Sequence, residues 1–187
     1  EDFQGNAAGT ADSTFTTATD PGPGPSGIVS DDFNVCVLDT SLWTFIDPAG
    51  DSDVSITGAG SGDLQLEIFV PAGPSHDPWN VNEAARLMQA AADTDFEIEA
   101  KFDSLVTEGY QDQGIIIEES SNNWLRFDVY SNGSQTNLFA ASVVNGAPSV
   151  KISTTITTAA PVYLNVSRTG DVWDFSYSFD GVSWTLA

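Results

Sequence analysis

The sequence of 187 residues is short of positive charge, cysteine and histidine. It has 5 Lys and Arg residues against 27 Asp and Glu residues, for a formal net charge of −22 at pH 7. A chain with this charge repels nucleic acid and anionic membrane surfaces. We therefore expect neither as a partner. The excess acid favours general solubility, divalent-cation binding or a salty habitat.

The single cysteine, Cys36, excludes a disulfide within the chain. A lone cysteine is more often a small buried apolar residue than a reactive one, and the alternative is a cross-link between copies. The single histidine argues against a zinc site. No apolar run approaches the ~20 residues of a membrane span, so no membrane insertion is expected. With Glu1 in place of Met and no signal peptide, we expect a processed or excised piece of a longer protein.

Short segments that alternate between apolar and polar residues recur along the chain, separated by Gly, Asn and Asp turns. The run 95–103 alternates strictly, and the run 124–130 alternates again with Leu125, Phe127 and Val129 on one face. Between them, 114–118 is apolar on both faces and is predicted to be a central strand. We interpret 93–130 as three successive antiparallel strands with one packed face and one open face.

The spacing of these segments predicts an all-β sandwich or jelly roll. Residues 84–92 have helix propensity, but they lie between strand signals and are predicted as a strand. Alternating Pro and Gly at 20–27 indicates a linker between an extension at 1–19, which holds one possible strand, and a main domain at 28–187.

Several motifs of the main domain occur in an order that resembles the concanavalin A-like lectin/glucanase superfamily, and more narrowly its LamG-like jelly-roll modules of large secreted microbial proteins. They are Ser30-Asp31-Asp32-Phe33, Leu42-Trp43, His76-Asp77-Pro78-Trp79, Ala85-Arg86-Leu87-Met88-Gln89, Asp95–Phe102, Gln113–Glu118, Leu125-Arg126-Phe127 and Ser178–Trp184. The resemblance covers about residues 28–187. It implies two curved antiparallel sheets, a concave face that can hold glycan and, in some members, a bound calcium ion.

Modules of that kind usually close with a segment like Phe-x-Gly-Asn and a Thr-rich strand. Here Phe3-Gln4-Gly5-Asn6 and Phe15-Thr16-Thr17 resemble that closing segment but precede the linker. One interpretation is a window cut from a tandem array. Another is that residues 1–19 complete the sheet of a neighbouring copy by strand addition, which would build a filament. The third is a disordered tail.

A catalytic pair of carboxylates is the first candidate for chemistry. Glu97 and Glu99 lie two residues apart on one strand face, ~6.6–7 Å along the strand, whereas retaining glycosidases need carboxyls ~5–5.5 Å apart. The related glucanases carry three carboxylates on one strand, and here Ala100 and Lys101 follow. We therefore expect a solvated strand face and no catalytic residue.

Aromatic and bidentate polar groups that could dock a sugar form a second candidate. The candidate carbohydrate-binding residues are His76, Trp79, Arg86, Glu118, Trp124, Arg126, Asp128 and Tyr130. The alternative is that Arg86 and Arg126 pair with Glu97, Glu99 or Glu118 on the sheet face.

Two weaker signals remain. Asp47, Asp51 and Asp53 surround a Gly turn and are a weak candidate for Ca²⁺, although they lack the spacing of a defined calcium loop. The candidate glycosylation residues are Asn132, Asn165 and Asn34, of which Asn132 lies at a hairpin tip.

These observations favour a non-catalytic extracellular or cell-surface module for adhesion, glycan binding or scaffolding. We expect it to be a unit of a repeat array or of a filament in which copies interact through residues 1–19. The alternative is a glycoside hydrolase or its accessory carbohydrate-binding domain.

Overall fold

A computed structural model describes residues 27–60, 62–157 and 159–187. This part of the chain forms twelve β-strands and no helix, which confirms the all-β prediction. The strands divide into one unit that ends at Thr94 and a second that begins at Asp95. The predicted extension at 1–19, and all of the predicted linker except Gly27, lie outside the described residues.

The first unit contains two antiparallel pairs of short strands. β1 (Thr44–Ile46) pairs with β4 (Arg86–Met88), and β2 (Asp53–Thr57) pairs with β3 (Gln65–Phe69). The strand predicted within 84–92 is therefore present, although it is only three residues long. Trp43 anchors this unit. It is 4% exposed, its Nε1 donates to Asp31 Oδ2 at 2.8 Å, and its ring lies 5.4 Å from that of Phe33.

The second unit consists of two four-stranded antiparallel sheets. One has the order β12–β11–β10–β5, with the bounds Thr185–Leu186, Val172–Ser178, Val162–Thr169 and Phe96–Phe102. The other has the order β6–β7–β8–β9, with the bounds Asp112–Ser120, Asn123–Ser131, Thr136–Val144 and Ala147–Ile156. We call them the β5 sheet and the β7 sheet.

The two sheets pack face to face through alternate residues of their strands. The Phe127 ring of β7 lies 5.5 Å from the Phe175 ring of β11, in an edge-to-face arrangement that aromatic rings prefer. On β10, Leu164 and Val166 are completely buried. Each sheet therefore has one inner face in the sandwich core and one outer face, as in a jelly roll.

Turn residues with positive φ connect neighbouring strands. Asn145 and Gly146 have φ values of 54° and 73° between β8 and β9. A two-residue hairpin with both central residues in this region is the type that matches strand twist, and Asn-Gly is its preferred sequence. Asn145 and Gly146 therefore form a two-residue hairpin turn.

Two sequence predictions about strand order are wrong. The strands in 93–130 are not one meander, because β5 pairs with β10 in a different sheet from β6 and β7. The run 114–118 is not central, because β6 pairs only with β7 among the described strands. Its apolar character has another cause. Ile115 is buried in the core, and Ile116 lies half-buried on the outer face.

Candidate functional site

The outer face of the β7 sheet brings together five of the predicted sugar-binding residues. Trp124, Arg126, Asp128 and Tyr130 alternate along β7, opposite in direction to the core residue Phe127. Glu118 of β6 is the direct partner of Trp124 in the ladder, so its side chain lies on the same face.

This face is closed to solvent along most of β7, so the expectation of an open face is wrong. Trp124 is 2% exposed, Arg126 is 6% exposed and Asp128 is 4% exposed. Ala141 and Val143 of β8, which pair with Arg126 and Trp124, are buried too. Both faces of β7 are therefore core-like, and Trp124 is a buried anchor that cannot stack on a sugar in this conformation.

Arg126 is held between two carboxylates on this face. Its Nε donates to Asp128 Oδ2 at 2.7 Å, and its Nη2 forms a short hydrogen bond with Asp112 Oδ2. The guanidinium also lies 5.1 Å from the centre of the Phe139 ring, which packs edge-to-face on Tyr130. The sequence allows ion pairing of Arg126 with Glu97, Glu99 or Glu118. The structure adds Asp112 and Asp128, which the sequence analysis did not name, as partners.

Gly114 allows β6 to approach β7 closely beside this ion-pair cluster. It pairs with Asp128 in the ladder. A Cβ added to Gly114 would lie 2.2 Å from the backbone oxygen of Phe127 and 2.5 Å from the Cα of Asp128. Only glycine fits there without a shift of the backbone. The close approach occurs two residues from Asp112, where the β6 carboxylate meets Arg126.

The carboxylates of β5 lie on the outer face of the other sheet. Glu97 is exposed, and its Oε1 accepts a hydrogen bond from Asn165 Nδ2 at 2.7 Å. Glu99 is half-buried and pairs with Asn165 in the ladder. Neither belongs to the Arg126 cluster.

The remaining predicted sugar-binding residues belong to the first unit. His76 Nε2 lies 2.8 Å from Asp51 Oδ1. Arg86, on β4, donates from Nη1 to the Ala84 carbonyl at 3.0 Å. Trp79 is half-buried in the loop before β4. The structure thus groups five of the eight predicted residues on one face of the second unit. The other three, His76, Trp79 and Arg86, belong to the first unit.

The three aspartates proposed for calcium serve different local contacts. Asp47 accepts hydrogen bonds from Gly50 N at 3.0 Å and from Ser52 N at 2.9 Å, so it closes a turn. Asp51 contacts His76, and Asp53 opens β2. In the part of the chain that the structure describes, no group of three His, Cys, Asp or Glu side chains is arranged to hold a metal ion.

The candidate glycosylation residues differ in their surroundings. Asn132 is exposed at the β7–β8 turn, where its Oδ1 accepts from Gln135 N at 2.8 Å. Asn34 is exposed as well. Asn165 is half-buried, and its Nδ2, the atom that a glycan would modify, is bonded to Glu97. Cys36 is exposed, contrary to the expectation of a buried cysteine.

The turn after β11 is rigidified by one carboxylate. Backbone N–H groups of Ser183 and Val182 donate to Asp180 Oδ1 at 2.7 and 2.8 Å, and Ser178 Oγ donates at 2.9 Å. These hydrogen bonds, with those to the backbone largest, hold the pKa of Asp180 well below its usual range. Nearby, burial raises the pKa of Tyr163, and the charges of Asp103, Glu99 and Asp180 raise it further.

Two cavities of the described residues differ in kind. One between the two sheets of the second unit has a volume of about 10 Å³ and is lined by Val129 and Val162 among others. That is room for about one water molecule. In the first unit, an open groove is lined by Pro48, Ala49, Pro74, Ser75 and Glu83. The cavity between the two sheets is therefore too small to hold a sugar.

Sequence reasoning missed Asp112, Phe139 and Tyr110. Asp112 lies just before the segment 114–118 that the pattern predicts as a strand, whereas β6 begins at Asp112 itself. The alternation of β6, extended back from Glu118 through Gly114, places Asp112 on the same face as Arg126. Phe139 pairs with Asp128 in the ladder, which only the register of β8 reveals. Tyr110, whose ring is 90% exposed, precedes β6 and has no pattern that marks it.

Comparison with known proteins now adds to the geometry. A model of a family described as proteins of unknown function (DUF1349) matches residues 67–187. A structure of the GH43 BlXynB protein from Bacillus licheniformis is similar, with a TM-score of 0.62 and 19% identity. That similarity covers 84% of this chain but 29% of the other chain, so it concerns one portion of a longer protein. No curated protein matches. Within the described residues, no helix is long and apolar enough to cross a membrane.

Proposed function

We propose that this chain, which belongs to the DUF1349 family, is a non-catalytic β-sandwich module that binds carbohydrate outside the cell. The concanavalin-like jelly-roll fold and the likeness to a portion of a protein titled GH43 support a role beside carbohydrate. The narrower resemblance to LamG-like modules and the extracellular location are parts of this proposal.

The observation that carries the non-catalytic part is the pairing of Arg126 with both Asp112 and Asp128. Both carboxylates bond the same guanidinium, and Asp128 is 4% exposed. A glycoside hydrolase of the usual kind needs two carboxyls that flank the scissile bond of the sugar, and an enclosed carboxylate cannot reach it. The arrangement suits a structural ion pair, and the buried position of Arg126 supports that role.

The test is to mix the full chain with a panel of neutral and acidic soluble polysaccharides, and to measure gel retardation and release of reducing sugar. We expect retardation by at least one polysaccharide and no release of sugar. Absence of retardation across the panel would contradict the binding role.

The alternative, a glycoside hydrolase or its accessory binding domain, is favoured by the similarity to the GH43 BlXynB protein. It predicts sugar release. If the wild type releases sugar and Glu97→Gln abolishes the release, the chain is an enzyme and the first proposal fails. Loss of the release in either Asp112→Asn or Asp128→Asn would have the same consequence.

Assembly of copies through residues 1–19 stays a prediction. The full chain would form polymers detectable by light scattering, and a version without residues 1–19 would not. Equal polymerisation of both would contradict strand addition.

A further inference from the structure

Tyr110 has an unusual backbone conformation and an unusual exposure for a large aromatic residue. It lies in the loop between β5 and β6 with a φ of 68°, in the left-handed region. Its side chain is 90% exposed. A bulky residue in this region is strained, and a ring in water forgoes the burial that usually stabilises it. Folding stability alone would favour Gly or Asn at this position.

The strained conformation is fixed by hydrogen bonds on both sides. Tyr110 N donates to the Ser131 carbonyl at 2.7 Å, and Ser131 N donates back to the Gln111 carbonyl at 2.9 Å. The Gln111 side chain accepts from the N–H groups of Thr107 and Glu108, each at 2.9 Å. The loop is therefore held in one conformation before a ligand binds. The Tyr110 ring can then contact a ligand at a low cost in conformational entropy.

The surroundings of Tyr110 are polar. Ser131 continues into the β7–β8 turn, where the side chains of Asn132, Ser134 and Gln135 are exposed. Gly109 and Gly133 approach each other, because a Cβ built on Gly133 would lie 3.6 Å from the Gly109 Cα. The Tyr110 loop and the β7–β8 turn thus form one continuous surface with a single aromatic ring among amide and hydroxyl groups.

We propose that Tyr110 is the stacking platform of a carbohydrate subsite formed by the β5–β6 loop and the β7–β8 turn, specific for a neutral pyranose. An aromatic ring packs on the apolar face of a sugar, and neighbouring amides and hydroxyls bond its hydroxyl groups. A protein partner fits less well, because aromatic hot spots in protein interfaces lie among other well-packed contacts.

The neutral character of the sugar follows from charge. Glu108, two residues before Tyr110 in the chain, is an exposed carboxylate, and the whole chain carries a net charge of −22. Uronic or sialic acids would be repelled from this surface. This inference rests on the proposed function, because it names the sugar class and the place where the module binds it.

The experiment compares Tyr110→Phe, Tyr110→Ala and Tyr110→Gly with the wild type, all produced without N-glycosylation so that Asn132 stays unmodified. The probes are soluble arabinoxylan, galactomannan and mixed-linkage β-glucan, with polygalacturonate as the acidic counterpart. We expect wild type and Tyr110→Phe to be retarded alike by a neutral probe. Tyr110→Ala and Tyr110→Gly should bind that probe at least tenfold more weakly. The matched aromatic control, Trp184→Ala, changes an exposed ring in another loop and should bind like wild type.

A second measurement is independent of ligand. Tyr110→Gly removes the left-handed strain, so its melting temperature should rise by about 2–4 °C, whereas Tyr110→Ala should not gain. A fall in the Tyr110→Gly variant would overturn the strain argument. Binding by wild type that Tyr110→Ala leaves unchanged would overturn this subsite and leave the proposed function standing. Wild type that binds only polygalacturonate would overturn the neutral specificity. No binding by wild type to any probe would overturn both.

Discussion

The two outer faces of the second unit come from strands with the same alternating pattern, yet they differ in exposure. The outer face of the β5 sheet is buried at Tyr163 but open at other positions, whereas the outer face of the β7 sheet is buried along most of β7. On the β5 sheet, Glu97 and Asp174 are exposed. On the β7 sheet, the residues in the corresponding outward positions include Trp124, Arg126 and Asp128, none more than 6% exposed. The alternation of a strand shows that its two faces differ in polarity, but it does not show that the polar face is exposed to solvent.

The difference lies in how charge is compensated. Glu97 meets one neutral amide in a solvated setting, where a hydrogen bond contributes little. Arg126 is desolvated, and its charge is offset by Asp112 and Asp128. Breaking a buried ion pair leaves an uncompensated charge, which is far more destabilising than losing an exposed one. Matched substitutions on the two faces can therefore measure the contrast.

The largest effect is expected for Arg126→Met, which leaves Asp128 buried without its guanidinium. The free energy of unfolding should fall by about 3–5 kcal/mol, measured by urea denaturation. The matched control is Lys101→Met on the outer face of the β5 sheet, whose Nζ lies 3.0 Å from Asp103 Oδ1. That loss should be no more than about 1 kcal/mol. Equal losses in the two variants would contradict the contrast between the faces.

Gly114→Ala should have the next largest effect, because the new methyl group meets the β7 backbone. We expect the free energy of unfolding to fall by about 1–3 kcal/mol. In Gly109→Ala the nearest atoms to the new Cβ are 3.9 Å away, so stability should be unchanged or slightly higher. Chemical denaturation of both variants checks the pair. A Gly114→Ala protein as stable as wild type would show that β6 has room to move from β7.

A smaller, pH-dependent effect is expected at the solvent-facing turn after β11. Folding lowers the pKa of Asp180, through backbone hydrogen bonds from Ser183 and Val182 above all. Its contribution to stability is therefore present above the unfolded pKa of about 4 and is lost as the pH falls below that value. Asp180→Asn removes this titration. Between pH 5 and pH 2 the melting temperature of wild type should fall more steeply than that of the variant. Parallel curves would contradict a stabilising role for the ionised carboxylate.

The smallest effect is expected for Glu97→Gln on the open face. The glutamine oxygen can still accept the hydrogen bond from Asn165, and the position is exposed. The free energy of unfolding should change by less than about 0.5 kcal/mol. A loss of unfolding free energy close to that of Arg126→Met would contradict the contrast, because Glu97 would then stabilise the fold as much as the buried ion pair does.

The strands themselves were predictable, because alternation and Asn-Gly turns are local signals. β5 and β7 lie where the pattern placed them. Which strands pair was not predictable, because the partner of β5 is β10, more than 60 residues away. Pairing at this separation is fixed by the packing of the whole sandwich, and the chain pattern contains no direct record of it.

The candidate site was predictable only as a shared face. The period of two residues along a strand predicts that Trp124, Arg126, Asp128 and Tyr130 share one face. Asp112 and Phe139 lie beside them only because of the register between neighbouring strands, which the period does not give. Burial of the face depends on tertiary packing that alternation does not encode. Tyr110 shows the opposite case. Its exposure and left-handed φ are properties of a loop, and a single Tyr in a polar segment gives no local signal of either.

The most direct test of this contrast between a closed face and an exposed recognition loop is hydroxyl-radical footprinting of the native chain. Oxidation of Trp124 and Tyr110 would be read by mass spectrometry, with half-exposed Trp184 as the internal reference. We predict that Tyr110 is oxidised readily, that Trp184 is intermediate, and that Trp124 is protected until the protein unfolds. Oxidation of Trp124 as fast as that of Tyr110 in the folded protein would contradict the account, because the face around Arg126 would then be open to solvent.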